Sequence, residues 1–139
     1  MSAVTFTPIG GGTEIGANSY RLDYGPFDIV IDSGLHPKKE GPEAFPRFDL
    51  LKRSPAALIV SHAHIDHCGS VPLLMKHHPN IPCYATKPTV RIMDRMLHNS
   101  VSVMTTIARE RRIRGYPAYS HQDVEDAMRR TVGFDYRRP

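Results

Sequence analysis

Four side chains that commonly bind metal ions fall within six residues of the chain: His62, His64, Asp66 and His67. They follow a short apolar run, residues 56–60, which predicts a buried strand. Because side chains alternate along an extended chain, His62 and His64 are expected to project on the same side. Imidazole is a common zinc ligand, so this pair would supply half of a tetrahedral site.

Asp66 and His67 come where the chain must turn after the predicted strand, so they can point to a second position beside the first. A carboxylate oxygen and an imidazole nitrogen both suit a second divalent ion, and two ions about 3.5–4 Å apart clamp a substrate for hydrolysis. The alternative is a polar loop that happens to be rich in histidine. The order, the spacing and the preceding strand favour a metal site.

Asp32 ends an earlier predicted strand, residues 27–32. Its carboxylate could cap a turn, or it could brace the histidine loop through hydrogen bonds to backbone amides. The glycine-rich segment 10–16 lacks the Gly-x-Gly-x-x-Gly spacing and precedes a strand, so no dinucleotide-binding site is predicted. Its glycines are expected to let the backbone turn tightly near the metal site.

Three motifs together resemble a known family. His-x-His-x-Asp-His after a buried strand resembles the signature of the metallo-β-lactamase fold hydrolases. With Gly-Gly-x-x-Glu-Ile-Gly from Gly10 and Asp-x-Gly-x-His-Pro from Asp32, the run resembles the β-CASP branch. That branch includes RNA 3′-end-processing endonucleases and bacterial RNA-maturation nucleases. The resemblance extends from about Gly10 to Tyr136.

The resemblance implies an α/β fold, a mixed β-sheet with flanking helices. In the family, two such halves form an αββα sandwich and meet at the metals, and the nuclease branch adds a cap domain. Residues 1–139 resemble the N-terminal half only, so the second half and the cap domain are expected to be absent. The ligands that the family draws from its second half are missing here, so the chain alone is expected to be inactive.

The resemblance also implies a function for the complete parent protein. It would be a zinc-dependent ribonuclease with two Zn²⁺ ions in each complete site. His62 and His64 would hold the first ion, and Asp66 and His67 the second. Asp66 would also act in catalysis by orienting the nucleophile, and Asp32 would take the bracing role that the family gives to an Asp at this position.

Two other functions remain open from the residues. A hydrolase of small esters, thioesters or lactams would use the same fold, but with an apolar pocket and no basic channel. A nucleic-acid-binding or scaffold subunit would have lost catalysis, although the intact histidine motif argues against it. The formal net charge of +4 and the arginines within residues 109–114 are compatible with an RNA partner or with a solvated helix end.

The remaining features bound the cellular setting. No stretch approaches the roughly 20 apolar residues of a membrane span, and the N-terminus shows no secretion signal. Two cysteines do not make a disulfide framework, so a cytoplasmic protein is expected. A half-sandwich would expose an apolar face, so self-association is also expected.

The secondary-structure prediction places most strands before the helices. Strands are predicted at 4–9, 18–24, 27–32, 56–60 and 81–85, and helices at 70–78, at 88–112 and from Ser120. Residues 4–85 should form a mainly β unit, with the long helix on one face and the histidine loop at one edge of the sheet. The long helix should bury one apolar stripe: Val90, Met93, Leu97, Val101, Met104 and Ala108.

Overall fold

A six-stranded mixed sheet forms the centre of the computed structural model, which describes residues 3–138. Its strands lie side by side in chain order: β1 (Val4–Gly10), β2 (Ser19–Tyr24), β3 (Phe27–Ile31), β4 (Ala57–Ile59), β5 (Cys83–Thr86) and β6 (Thr131–Phe134). The first three strands pair antiparallel, and β3 to β6 pair parallel. The carboxyl ends of β3, β4 and β5 therefore lie at one edge of the sheet.

Four helices connect or flank the parallel strands: α1 (Ile65–Cys68), α2 (Val71–His77), α3 (Lys87–Arg111) and α4 (His121–Arg129). Short 3-10 turns occur at Gly41–Ala44 and Phe48–Leu50. Thr86 caps α3 and a capping box of Ser120 and Asp123 begins α4, as the sequence predicts for α4. No helix in residues 3–138 combines the length and the apolar character needed to cross a membrane.

The core lies between one face of the sheet and the helices. Val30, Leu58 and Cys83 point from neighbouring strands into it and are fully buried. The helices add a continuous apolar layer: Val71, Leu74, Met75, Met93, Leu97, Val101, Met104, Val124 and Ala127. Four of the six residues predicted for the stripe of α3 are buried there, and Val90 packs against this core.

The other face of the sheet is apolar but has no covering layer within residues 3–138. The register places alternate residues of all six strands on it. Seven of its apolar side chains are at least 40% exposed: Val4, Phe6, Tyr24, Phe27, Ile59, Val132 and Phe134. We call this surface the open face.

The predicted α/β class, the mixed sheet and the flanking helices are confirmed. The limit of the β unit at residue 85 is wrong, because β6 adds a sixth strand after α3 and α4. Its four residues carry little local signal, and its pairing with β5 depends on a crossover of more than 40 residues. The helical turn α1 was also not predicted, since the sequence indicated only a bend after His64.

Candidate metal centre

The predicted ligands lie on a loop that leaves the carboxyl end of β4. Residues 60–64 continue without regular structure, and His64 keeps an extended backbone (φ −68°, ψ 144°) as the N-cap of α1. The backbone N–H groups of His67 and Cys68 both donate to the His64 carbonyl, which closes the helical turn. Asp66 and His67 therefore turn back towards the imidazoles of His62 and His64.

His62 and His64 form the first donor pair. Their Nε2 and Nδ1 atoms lie 3.2 Å apart. The Ser61 hydroxyl donates to Asp32 Oδ2, so its contact of 3.0 Å with His62 Nδ1 requires the imidazole to donate. A neutral His62 thus keeps its lone pair on Nε2, the atom that faces His64.

Asp66 and His67 form the second donor pair. Asp66 Oδ2 lies 3.5 Å from His67 Nε2. The rings of His67 and His62 are close, with centroids 4.1 Å apart, so the two donor pairs are neighbours. The structure therefore brings all four predicted ligands together.

The spacing of each pair fits a zinc ion. Zinc–nitrogen bonds of about 2.0–2.1 Å put neighbouring atoms of a tetrahedron about 3.3 Å apart. The separations of 3.2 Å and 3.5 Å are close to that value. Across residues 3–138 there is no group of three or more His, Cys, Asp or Glu side chains arranged to hold one ion. Each pair thus offers two protein ligands, whereas a catalytic zinc usually has three.

Asp32 lies beneath the loop and joins its two ends. It is buried, and its backbone adopts the left-handed region (φ +61°), which is costly for a residue other than glycine. Oδ1 accepts the backbone N–H of Ser61 at 2.7 Å, and Oδ2 accepts the Ser61 hydroxyl and His67 Nδ1, both at 2.8 Å. These contacts assign the proton of a neutral His67 to Nδ1 and leave Nε2 free.

Asn18 is a contact residue that sequence reasoning missed. Its Nδ2 lies 3.0 Å from the Asp66 carbonyl oxygen, 3.2 Å from Asp66 Oδ2 and 3.3 Å from His67 Nε2. A single asparagine after a glycine-rich turn has no periodicity that would mark it. The expected role of the glycines is confirmed at Gly11 (φ +71°), where a Cβ would lie 2.4 Å from Asn18 Oδ1.

Cys68 follows the ligands in sequence but faces the core. It is fully buried, and burial raises the pKa of its thiol to about 12, so the thiolate is strongly disfavoured.

A cavity of about 390 Å³ lies beside the first donor pair. It is lined by His62, His64, Thr86, Pro88, Thr89 and Tyr136, among others.

A sequence-family model described as the metallo-beta-lactamase superfamily matches residues 12–134. The chain belongs to this superfamily. Its match to a relative named transcription termination factor FttA, from Cenarchaeum symbiosum, is 29% identical and covers 97% of this chain and 21% of that protein. Its match to cleavage and polyadenylation specificity factor 73 of Drosophila melanogaster is 32% identical and covers 94% and 19%.

A third relative is ribonuclease TTHA0252 of Thermus thermophilus, which is 28% identical, with 87% of this chain and 26% of that protein covered. A solved Rm3 metallo-beta-lactamase matches 62% of this chain and 31% of its own at 22% identity and a TM-score of 0.47. The resemblance to the superfamily and to its β-CASP ribonuclease branch is confirmed. The chain spans about a fifth of the length of the curated relatives it matches.

Proposed function

We propose that the whole protein hydrolyses RNA phosphodiester bonds with the help of metal ions. The observation that carries this proposal is the juxtaposition of two donor pairs, 3.2 Å and 3.5 Å wide, at one edge of the sheet. Its relatives include proteins named as ribonucleases and endoribonucleases, which supports RNA as the substrate class.

In this proposal His62 and His64 hold one zinc ion, and Asp66 and His67 hold the second. Bound zinc would supply Lewis acidity and a water molecule of lowered pKa. Asp32 fixes the ring of His67 by accepting from Nδ1, so that Nε2 and not Nδ1 faces the site. Asp66 would also orient the attacking nucleophile, because its carboxylate lies at the second donor pair, beside His67 Nε2.

The cavity beside His62 and His64 is the proposed position of the RNA. Thr86 and Thr89 line it with hydroxyl groups, and Tyr136 adds an aromatic ring that is well exposed. An exposed ring suits stacking of an unpaired base. Arg91 and Arg95, one and two turns into α3, are exposed and add positive charge nearby.

We also propose that residues 1–139 form the N-terminal half of an αββα domain. The open face supports this, because an apolar sheet face of this size usually packs against another layer. A second sheet on the open face would complete the sandwich. It would also bring the further ligands that each donor pair requires.

Cleavage of labelled single-stranded RNA tests the function. The whole protein with zinc should cleave it, and His64→Ala should abolish cleavage, since the first ion loses one of the two ligands proposed for it. The matched control is His77→Ala, an exposed histidine on α2. Residues 1–139 alone should bind zinc weakly and leave the RNA intact. Hydrolysis of a lactam or thioester but not of RNA by the whole protein would overturn the proposal.

A further inference from the structure

We propose that the side-chain amide of Asn18 stands in for the second metal ion when the site is empty, and that it competes with that ion. This inference rests on the proposed metal-binding role of Asp66 and His67. It assigns Asn18, a residue outside the histidine motif, two roles: it positions Asp66 and His67, and it lowers their affinity for the metal.

The first argument is the position of the amide nitrogen. Nδ2 lies 3.2 Å from Asp66 Oδ2 and 3.3 Å from His67 Nε2, the two atoms that would bind the ion. A third contact, of 3.0 Å, reaches the Asp66 carbonyl oxygen. An amide has two N–H groups, so one can serve the carbonyl while the other faces the donor pair.

The second argument is that the neutral imidazole of His67 has only one free lone pair. Its Nδ1 donates to the Asp32 carboxylate, so the neutral ring has its single lone pair on Nε2. That lone pair either accepts from Asn18 or binds a cation, and it cannot do both. A cation that binds His67 must therefore displace the amide.

The third argument is the orientation of the amide. Tyr20 donates its hydroxyl to Asn18 Oδ1 at 3.1 Å, which places the oxygen away from Asp66 and the nitrogen towards it. The backbone of Asn18 is also fixed, because its N–H donates to the Asp66 carbonyl and its C=O accepts from Gly34. Displacement of the amide is thus a side-chain rotation, and the main chain can stay in place.

The preceding backbone is built for this placement. Ala17 has a positive φ of 49°, and Gly16, with φ 130°, comes directly before it. These conformations turn the chain so that Asn18 reaches across to α1. The amide nitrogen then bridges Asp66 Oδ2 and His67 Nε2, and its positive N–H end offsets the repulsion between their lone pairs.

Two substitutions change the competitor in opposite chemical ways. Asn18→Ala removes it, so zinc should bind about fivefold more tightly to the Asp66–His67 pair, the size of one hydrogen bond. Asn18→Asp replaces the donor nitrogen with a carboxylate oxygen, a third ligand, and should tighten binding by more than the alanine variant. Both variants should lower the melting temperature of the metal-free protein.

The test uses residues 1–139 with His62→Ala and His64→Ala, so that only the second pair remains. Zinc affinity is measured by competition with a chromophoric chelator. Nitrogen-15 NMR follows the ring nitrogens of His67 and the NH₂ signals of Asn18. Zinc should shift His67 Nε2, leave Nδ1 protonated and release the NH₂ signals from their hydrogen-bonded positions. The matched control is Asn80→Ala, at an exposed position after α2, which should bind zinc as its parent does.

The outcomes separate the two proposals. Zinc binding that His67→Ala does not weaken would overturn the proposed metal site, and this inference with it. Binding that is lost in His67→Ala but unchanged or weaker in both Asn18→Ala and Asn18→Asp would overturn the inference alone. NH₂ signals of Asn18 that do not respond to bound zinc would also overturn it.

Discussion

The two faces of the sheet are both apolar, but only one of them is covered. On the covered face, Val30, Leu58 and Cys83 lie beneath α2, α3 and α4 and are fully buried. On the open face, Phe6 and Phe134 remain about half exposed, although they lie on the same sheet as those buried residues. The same strand pattern therefore gives a packed core on one side and an exposed apolar surface on the other.

The difference shows that the described part of the chain obtains its stability from one side of the sheet. Burial of apolar area is the main source of folding free energy, and the open face contributes little of it. The open face is as apolar as a core layer, but no other layer packs against it within residues 3–138. This is the behaviour expected of a surface that binds another layer.

The largest loss of stability should come from the core between the covered face and the helices. Leu97→Ala should lower the free energy of unfolding by about 2–5 kcal/mol, because the removed atoms leave a cavity among fully buried neighbours. Urea denaturation followed by circular dichroism measures it. An exposed apolar residue of the same helix, Val103→Ala, is the matched control and should change little. Equal losses in both variants would contradict the conclusion that stability comes from the core on the covered face.

A smaller loss is expected from Asp28, which lies on the same side of the sheet as Val30 and is bound there by two arginines. Its buried carboxylate accepts from Arg21 Nε at 2.9 Å and from Arg53 at 2.6 Å. Asp28→Asn should cost roughly 1–3 kcal/mol, since both arginines lose a buried carboxylate partner and keep only the carboxylate of Asp23. Asp49→Asn, in an exposed pair with Arg47, is the control and should cost much less.

The pH dependence of stability follows from the same carboxylate. Burial raises the pKa of Asp28, but the hydrogen bonds from Arg21 and Arg53 outweigh it and hold that pKa below its ordinary value. Its contribution is therefore present above the pKa of the unfolded chain, about 3.9, and is lost as the pH falls through the lower folded value. Asp28→Asn should therefore flatten this part of the stability-versus-pH profile, because an asparagine side chain does not titrate, and acid unfolding of both proteins measures it. An unchanged profile would contradict the assignment.

The capping box of α4 should have an effect of about 1 kcal/mol. Ser120→Ala removes the acceptor for the backbone N–H of Asp123, which caps the first turn. Thermal unfolding measures the change, and Ser102→Ala, on the exposed side of α3, is a suitable control. A loss as large as that of Leu97→Ala would mean that α4 depends on its cap more than on its packing.

The smallest change in stability is expected on the open face. Phe6→Ser with Phe134→Ser should alter the free energy of unfolding by no more than about 0.5 kcal/mol per site. The same pair should clearly reduce self-association in sedimentation at micromolar concentration, because both rings lie on the open face. Ile15→Ser, at an exposed position outside the sheet, should leave self-association unchanged. A wild-type chain that stays monomeric would contradict the proposed half-domain.

Local sequence patterns determined the first five strands, the long helix and the first donor pair. Alternation gives β1, β2 and β3, and an apolar stripe gives α3. His62 and His64 are two residues apart on an extended chain, so their adjacency needs no tertiary information. The resemblance also pointed to Asp32, although the residues alone left its role open.

Only the tertiary structure decided the rest of the site. Asn18 reaches Asp66 from 48 residues away, because antiparallel pairing puts the start of β2 beside the end of β3. Asp32 reaches His67 from 35 residues away, because parallel pairing brings the ends of β3 and β4 to the same edge. The strand β6 likewise exists through its pairing with β5. Contacts between distant segments depend on how the sheet is ordered, and no local periodicity records that order. Alternation made both faces of the sheet apolar, and helix packing decided which one was buried.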